Sequence, residues 1–280
     1  MRVLNEIKSL RSILLEYKLD NKKIGLIPTM GALHEGHMAL VSAAQAESDI
    51  TVCSIYINPA QFDNPADLEK YPQNMEKDLQ MLAEIGCDMV FCPDNAVMYQ
   101  NGNRIKFDFG DLDKMMEGRF RQGHFSGVAT VVAKLLNIVQ PDYAYFGQKD
   151  LQQFTIIERL VESLMFNTEL RCIPIKRDKN GLALSSRNLR ISAEGQQSAL
   201  ILSESLELAI EELKKGQSIV EIKNKINHRF AASMTELEYF EIVNRATLEN
   251  ITNFSNDIQV AICVAAYVEN VRLIDNMLLN

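Results

Sequence analysis

Residues 24–37 read IGLIPTMGALHEGH. Positions 24–30 form an apolar run of strand length. The stretch that follows, to about Ser48, carries apolar residues at helical spacing. Between the two, Gly31 and Gly36 let the backbone turn tightly and come close to a ligand. His34 and His37 are three apart, so on a first helical turn both rings lie on one face. A helix N-terminus offers N–H groups and partial positive charge, which suits phosphate. Imidazoles placed there can donate hydrogen bonds to a phosphate whose charge grows during reaction. The chain has four histidines in 280 residues, and two sit in this turn. That placement favours a site over a pair of surface caps.

The same alternation extends on both sides of this turn. Residues 49–57 (DITVCSIYI), 88–92, 143–147 and 169–175 read as strands, and 71–85, 125–139 and 151–165 as helices. Strand–helix alternation predicts an α/β, Rossmann-like parallel sheet with helices on both faces, spanning 1–175. Beyond that point the rhythm changes. Two helices, 196–215 and 219–230, precede strand-like runs at 239–243, 258–268 and 271–274. Gly216 is a C-cap signal and Glu269-Asn270 a hairpin signal. A smaller C-terminal α+β domain over 176–280 is expected.

Composition narrows the function. Apolar residues make up 47% and charged residues 24%, as in ordinary globular proteins, so global disorder is excluded. The net charge is −8, and neither half is basic, which argues against a non-specific polyanion binder. No apolar stretch reaches membrane-spanning length, and the N-terminus lacks a signal peptide's unbroken apolar core. The five cysteines have no CxxC or zinc-finger spacing, so they read as buried thiols of a reducing cytoplasm, with no metal site.

Four further segments place polar groups where strands end or helices begin. NPAQF at 58–62 follows a strand, and Gln61 both donates and accepts, which suits a hydroxy acid; Tyr71-Pro72 follows. In RQGHFSG at 121–127, Arg121 and His124 can steady anionic groups. FGQKDLQQ at 146–153 opens a helix, with Lys149 suited to phosphate, Asp150 to a ribose hydroxyl, and Gln153 one turn on. NGLALSSRN at 180–188 sets two hydroxyls and a guanidinium beside a glycine, as in a phosphate clamp.

PTMGALHEGH at 28–37 carries the HxGH signature of nucleotidyltransferases that share a Rossmann-like fold with class I aminoacyl-tRNA synthetases, and SSRN resembles their second, KMSKS-type signature. With NPAQF, YP at 71–72, GHFSGVATVV at 123–132, FGQKDLQQ, GLALSSRN and VRLIDN at 271–276, the chain resembles the pantoate–β-alanine ligases over nearly its whole length. Four flanking positions depart from that pattern. Gln148 stands where Glu is usual, Gln122 where Pro is common, Asn180 for Asp, and Gln73 for a frequent Arg.

The resemblance implies ATP-dependent condensation of pantoate with β-alanine to pantothenate, AMP and diphosphate through pantoyl adenylate. It implies His34, His37, Lys149, Ser185, Ser186 and Arg187 as the catalytic groups. ATP would meet Met30, Gly31, Ala32, Leu33, Glu35 and Gly36 beside the histidines, then Gly147, Gln148, Lys149 and Asp150, and then Lys176, Leu184 and the 185–187 loop. Gln61 and Gln153 would hold pantoate, and Gln61 also β-alanine, with Tyr71 and Arg121 as second-step or anchoring groups and Asn58 as a further candidate. Mg²⁺ would arrive with ATP, since the sequence offers no carboxylate cage. A cytoplasmic homodimer, with its C-terminal domain acting as a lid and no nucleic-acid or membrane partner, completes the expectation.

Overall fold

The computed structural model describes residues 1–63, 65–100, 102, 104–255 and 257–279, with the backbone alone at 65 and 66. The chain divides into two compact units. One comprises Met1–Gly147 and Gln153–Pro174; the other comprises Gln148–Gln152 and Ile175–Asn280.

The first unit holds β1 (Arg2–Leu4), α1 (Ile7–Leu19), β2 (Ile24–Thr29), α2 (Glu35–Glu47), β3 (Ile50–Ile55), α3 (Pro65–Glu69), α4 (Met75–Glu84) and β4 (Met89–Phe91). After these come α5 (Asn95–Met98), α6 (Met116–Phe120), α7 (His124–Val139), β5 (Tyr143–Gly147), α8 (Leu151–Ser163) and β6 (Glu169–Ile173). The six strands form one sheet in the order β1-β4-β3-β2-β5-β6, with every pairing parallel. From β2 the chain winds outward through β3 to β4, then returns to β5 and β6 on the other side. The order therefore reverses between β2 and β5. Doubly wound sheets place ligands at the carboxyl ends of strands flanking such a reversal. The HxGH turn leaves β2 at that end, NPAQF follows β3, and Gly147 closes β5.

Strand residues alternate between two cores, as the two-residue period requires when both faces are covered. Leu26, Val52, Met89, Phe91, Ala144 and Phe146 join the core packed by α1, α7 and α8. Their neighbours Ile27, Cys53, Val90 and Tyr145 join the opposite core, under α2 and α4. At about 25 cal/mol per Å² of apolar surface removed from water, each Val, Leu, Ile, Met or Phe among them contributes roughly 1.5–3 kcal/mol.

The expected sheet is present, with differences at element ends. β1 pairs Arg2–Leu4 with Met89–Phe91, and a three-residue edge strand is too short to read from periodicity. The expected helix at 71–85 starts only at Met75, because Pro72 precedes it and the Asn74 side chain accepts the Lys77 N–H at 3.1 Å. Of the cysteines read as buried, Cys92 and Cys172 are only half-buried, since Cys92 lies just past β4 and Cys172 is on the edge strand β6.

In the second unit, α9 (Ala193–Lys214) and α10 (Ile219–Ala231) cover an antiparallel sheet ordered β7-β8-β9, made of β7 (Glu236–Asn244), β8 (Val260–Val268) and β9 (Val271–Leu279). Ser192 caps α9 by accepting the Gly195 N–H at 3.0 Å, and Gly216 ends it with φ 81°. Glu269 and Asn270 have φ of 50° and 64°, the left-handed pair of a two-residue hairpin turn joining Val268 to Val271. β9 runs five residues past the expected end at Ile274, because Asp275 and Asn276, polar in sequence, are buried there and hydrogen-bonded to residues outside the strand.

Candidate active site

The turn after β2 is held from beneath. Gly31 (φ 80°) and Ala32 (φ 51°) both adopt left-handed backbone, a conformation that costs a non-glycine residue about 1–2 kcal/mol. The offset comes from Asp78 on α4, which is 2% exposed. Its carboxylate accepts the Ala32 N–H at 2.8 Å and the Leu33 N–H at 2.7 Å. A methyl group on Gly31 would sit 2.9 Å from the same carboxylate and 3.2 Å from Ile55. Thr29 ties the start of the turn, donating to the Ser54 carbonyl at 2.7 Å and accepting the Gly31 N–H at 3.3 Å. The N–H groups of Ala32 and Leu33 are therefore committed to Asp78.

The two imidazoles form a reciprocal cap on α2. His34 Nδ1 accepts the Gly36 N–H at 3.1 Å, and His37 Nδ1 accepts the His34 N–H at 3.3 Å. Their ring centroids are 4.2 Å apart. A neutral imidazole that accepts at Nδ1 carries its proton at Nε2. The cap thus fixes the tautomer of both rings and makes both Nε2–H groups donors.

A second cluster lies behind β3. Asn58, fully buried, donates to Gln61 Oε1 at 3.1 Å and to the Gly127 carbonyl at 3.0 Å. Its Oδ1 accepts from the Tyr99 hydroxyl at 2.7 Å. Burial pushes the Tyr99 phenol up to about 12, so it remains a donor at neutral pH. Gln61, in the 3-10 turn Pro59–Gln61, directs its Nε2 to Met30 Sδ at 2.9 Å, joining NPAQF to the HxGH turn. His124 Nδ1 donates to the Gln61 carbonyl at 2.7 Å, the opposite tautomer from the first two histidines. On α7, Gly127 passes so close that an added Cβ would lie 2.1 Å from the Ala60 carbonyl oxygen. Tyr71 stacks edge-on against Phe62, centroids 5.8 Å apart, and Arg121 ends α6. Gln153 lies in the first turn of α8, half-buried.

The remaining candidates belong to the second unit. Gln148, Lys149 and Asp150 form a short 3-10 turn, with Asp150 exposed. Lys176 is exposed, and its carbonyl accepts the Leu184 N–H at 2.9 Å. Ser185 caps the turn Ser186–Arg190 by accepting the Arg187 N–H at 3.2 Å. Asn188 donates to the Ala183 carbonyl at 3.0 Å, closing the loop on itself. The candidate set thus divides between the units, with residues 30–37, 58, 61, 71, 121, 147 and 153 in one and 148–150, 176 and 184–187 in the other.

Sequence reasoning missed Asp78, Tyr99, Arg177 and Asp275. Asp78 did leave a signal, since it falls on the face of α4 that carries Met75 and Leu82, an acid on an apolar stripe. Among the described residues, no group of three or more His, Cys, Asp or Glu is placed to hold a metal ion, and no helix is long and apolar enough to cross a membrane.

A doubly wound parallel sheet with a paired-imidazole cap at its reversal point places the candidate site where α/β proteins hold ligands. The family model described as pantoate-beta-alanine ligase matches residues 2–278. A pantothenate synthetase of Cytophaga hutchinsonii is 44% identical over 278 residues, covering 99% of this chain and 98% of the relative. One from Bacteroides thetaiotaomicron is 40% identical with the same coverage. Among solved structures, the pantothenate synthetase of Thermus thermophilus superposes with a TM-score of 0.91 at 37% identity, covering 99% of both chains. The Francisella tularensis pantoate-beta-alanine ligase, complexed with beta-gamma ATP and beta-alanine, gives 0.83 at 35% identity over 99% of this chain and 97% of that one. The chain belongs to the pantoate–β-alanine ligase family, and it is an enzyme.

Proposed function

We propose that the enzyme joins pantoate to β-alanine in two steps, with pantoyl adenylate between them. In the first, a pantoate carboxylate oxygen attacks the α-phosphorus of ATP, and the bond to the bridging oxygen of diphosphate breaks. In the second, the β-alanine amine attacks the adenylate carbonyl, loses a proton, and AMP leaves. A carboxylate has a reference pKa of about 4, so at neutral pH the first nucleophile is already ionised and needs no general base. The protein's work is alignment and stabilisation of charge on the departing phosphates.

The observation that carries this reading is the paired cap on α2. Two imidazoles accepting backbone N–H at Nδ1 have Nε2–H donors of fixed orientation. We assign them to the triphosphate, with His37 as donor to the leaving diphosphate. Gln61, held by Asn58 and aligned with Met30, receives pantoate's hydroxyls together with Gln153, and lies where the incoming amine is bound. Lys149 and the Ser185–Arg187 loop neutralise phosphate charge, Asp150 takes the ribose, and Lys176 meets adenine through its main chain. Because Ala32 and Leu33 give their N–H groups to Asp78, their share in nucleotide binding is through shape rather than hydrogen bonds. Mg²⁺ enters as part of the Mg–ATP substrate, the usual case for a nucleotide-borne ion. The second unit acts as a lid that keeps water from the adenylate. Homodimer formation and a cytoplasmic location follow from the family resemblance.

The test is isotope exchange between diphosphate and ATP. Exchange that requires pantoate and proceeds without β-alanine is expected. Exchange supported by a nicotinate nucleotide instead, or none with pantoate, would refute the reading.

A further inference from the structure

The motif VRLIDN at 271–276 has no part in the chemistry so far. Its last two residues sit on β9 with 3% exposure each, and burying a carboxylate beside an amide is costly unless both are fully engaged. Both are. Asn276 Nδ2 donates to the Gln148 carbonyl and to the Lys149 carbonyl, each at 3.0 Å. Its Oδ1 accepts from Gln148 Nε2 at 3.1 Å. The two backbone carbonyls can only accept, so they fix which end of the Asn276 amide faces the turn, and Gln148 turns its donor to the other end.

Asp275 secures the second segment. It receives two parallel hydrogen bonds from Arg177, at 2.6 and 2.9 Å, and the Asn276 N–H at 2.8 Å. Arg177 also donates to the Gly181 carbonyl at 3.0 Å and bridges Ala183. One end of β9 therefore grips two stretches of chain far apart in sequence. One carries Lys149, and the other runs from Lys176 to the Ser185–Arg187 loop. All of these residues lie in the second unit.

We infer that Asn276 is a positioning residue for the ligase reaction, clamping the backbone of Gln148 and Lys149 so that the Lys149 ammonium is delivered to the phosphates in fixed register with the loop Arg177 anchors. The inference rests on the assignment of Lys149 to phosphate. Asn276 itself touches no substrate. It acts through two carbonyls, and a displacement near 1 Å at a reacting group can cost about 10²-fold in rate.

The experiment is a double-mutant cycle in pantoate-dependent diphosphate–ATP exchange on the full chain, with Asn276→Ala, Lys149→Ala and the pair, alongside thermal unfolding of each. Asn276→Asp, equal in size but lacking both donors, replaces the alanine variant if that one does not fold. The expected result is a loss of about 10²-fold in turnover for Asn276→Ala, an unchanged KM for pantoate, and a pair no slower than Lys149→Ala alone. Losses that multiply would mean Asn276 acts independently of Lys149, and the inference fails. Wild-type turnover in Asn276→Ala beside a slow Lys149→Ala also overturns it while sparing the Lys149 assignment. Wild-type turnover in Lys149→Ala overturns both.

Discussion

His37 is both a helix cap and the proposed donor to the leaving group, and the two roles separate by size. Losing a cap costs about 1 kcal/mol of stability, whereas removing one donor to developing charge costs about 10²–10³ in rate. His37→Ala is therefore expected to stay folded, with its unfolding midpoint slightly lowered, and to lose diphosphate exchange by that factor. A denaturant titration and the exchange assay read the two effects independently. Asp78 should show the reverse balance. Asp78→Ala strands two N–H groups in a strained turn, and a destabilisation of about 3 kcal/mol is expected by urea unfolding. Activity would fall with it as the turn loses its shape. The histidines were legible in sequence because their type and spacing are rare. Asp78 shows in sequence only as an acid on an apolar stripe; its partners are backbone amides 45 and 46 residues away, and no local pattern encodes them.

At the scale of the element, long periodic helices and β-branched runs were readable, and the tight turn at Glu269-Asn270 was found from its two residues. Misjudged ends have two causes, one distant and one local. β9 continues through Asp275 and Asn276 because tertiary partners satisfy them, while α4 waits for a capping Asn74 that the apolar period alone does not mark. The hairpin itself has a measurable attachment. The Glu269 carboxylate receives the Ser192 N–H at 2.7 Å and the Ser192 hydroxyl at 2.5 Å, at the N-terminus of α9. These bonds hold its pKa below the ordinary 4.5. A carboxyl depressed in the folded state adds stability above its unfolded pKa and loses it as pH falls through the folded value. Acid unfolding of wild type should thus steepen below about pH 4.5 relative to Glu269→Gln, while Glu269→Gln is the less stable of the two at neutral pH. Parallel melts at pH 3 to 7 would reveal whether the two curves converge.

For the whole molecule, the sequence changes rhythm after residue 175, and the chain divides into two units with separate cores. The assignment of Gln148–Gln152 to the second unit was not visible, since in sequence those residues merely follow β5. The reason is the Asn276 clamp, whose partners lie 127 and 128 positions upstream. If the second unit closes as a lid, small-angle scattering should show a smaller radius of gyration with ATP and pantoate together than with neither. An unchanged radius would remove the lid from the mechanism.

The Asp78 carboxylate has one more consequence, for how the HxGH turn fluctuates. Backbone amides in surface loops usually trade their protons with solvent quickly, because nothing needs to open first. Those of Ala32 and Leu33 are bonded to a side chain rooted in the first turn of α4, so their release is tied to that end of the helix separating from the turn. Deuterium uptake at these two amides should follow α4 rather than the loop in which they lie, and in Asp78→Ala it should become fast while the rest of the sheet stays protected.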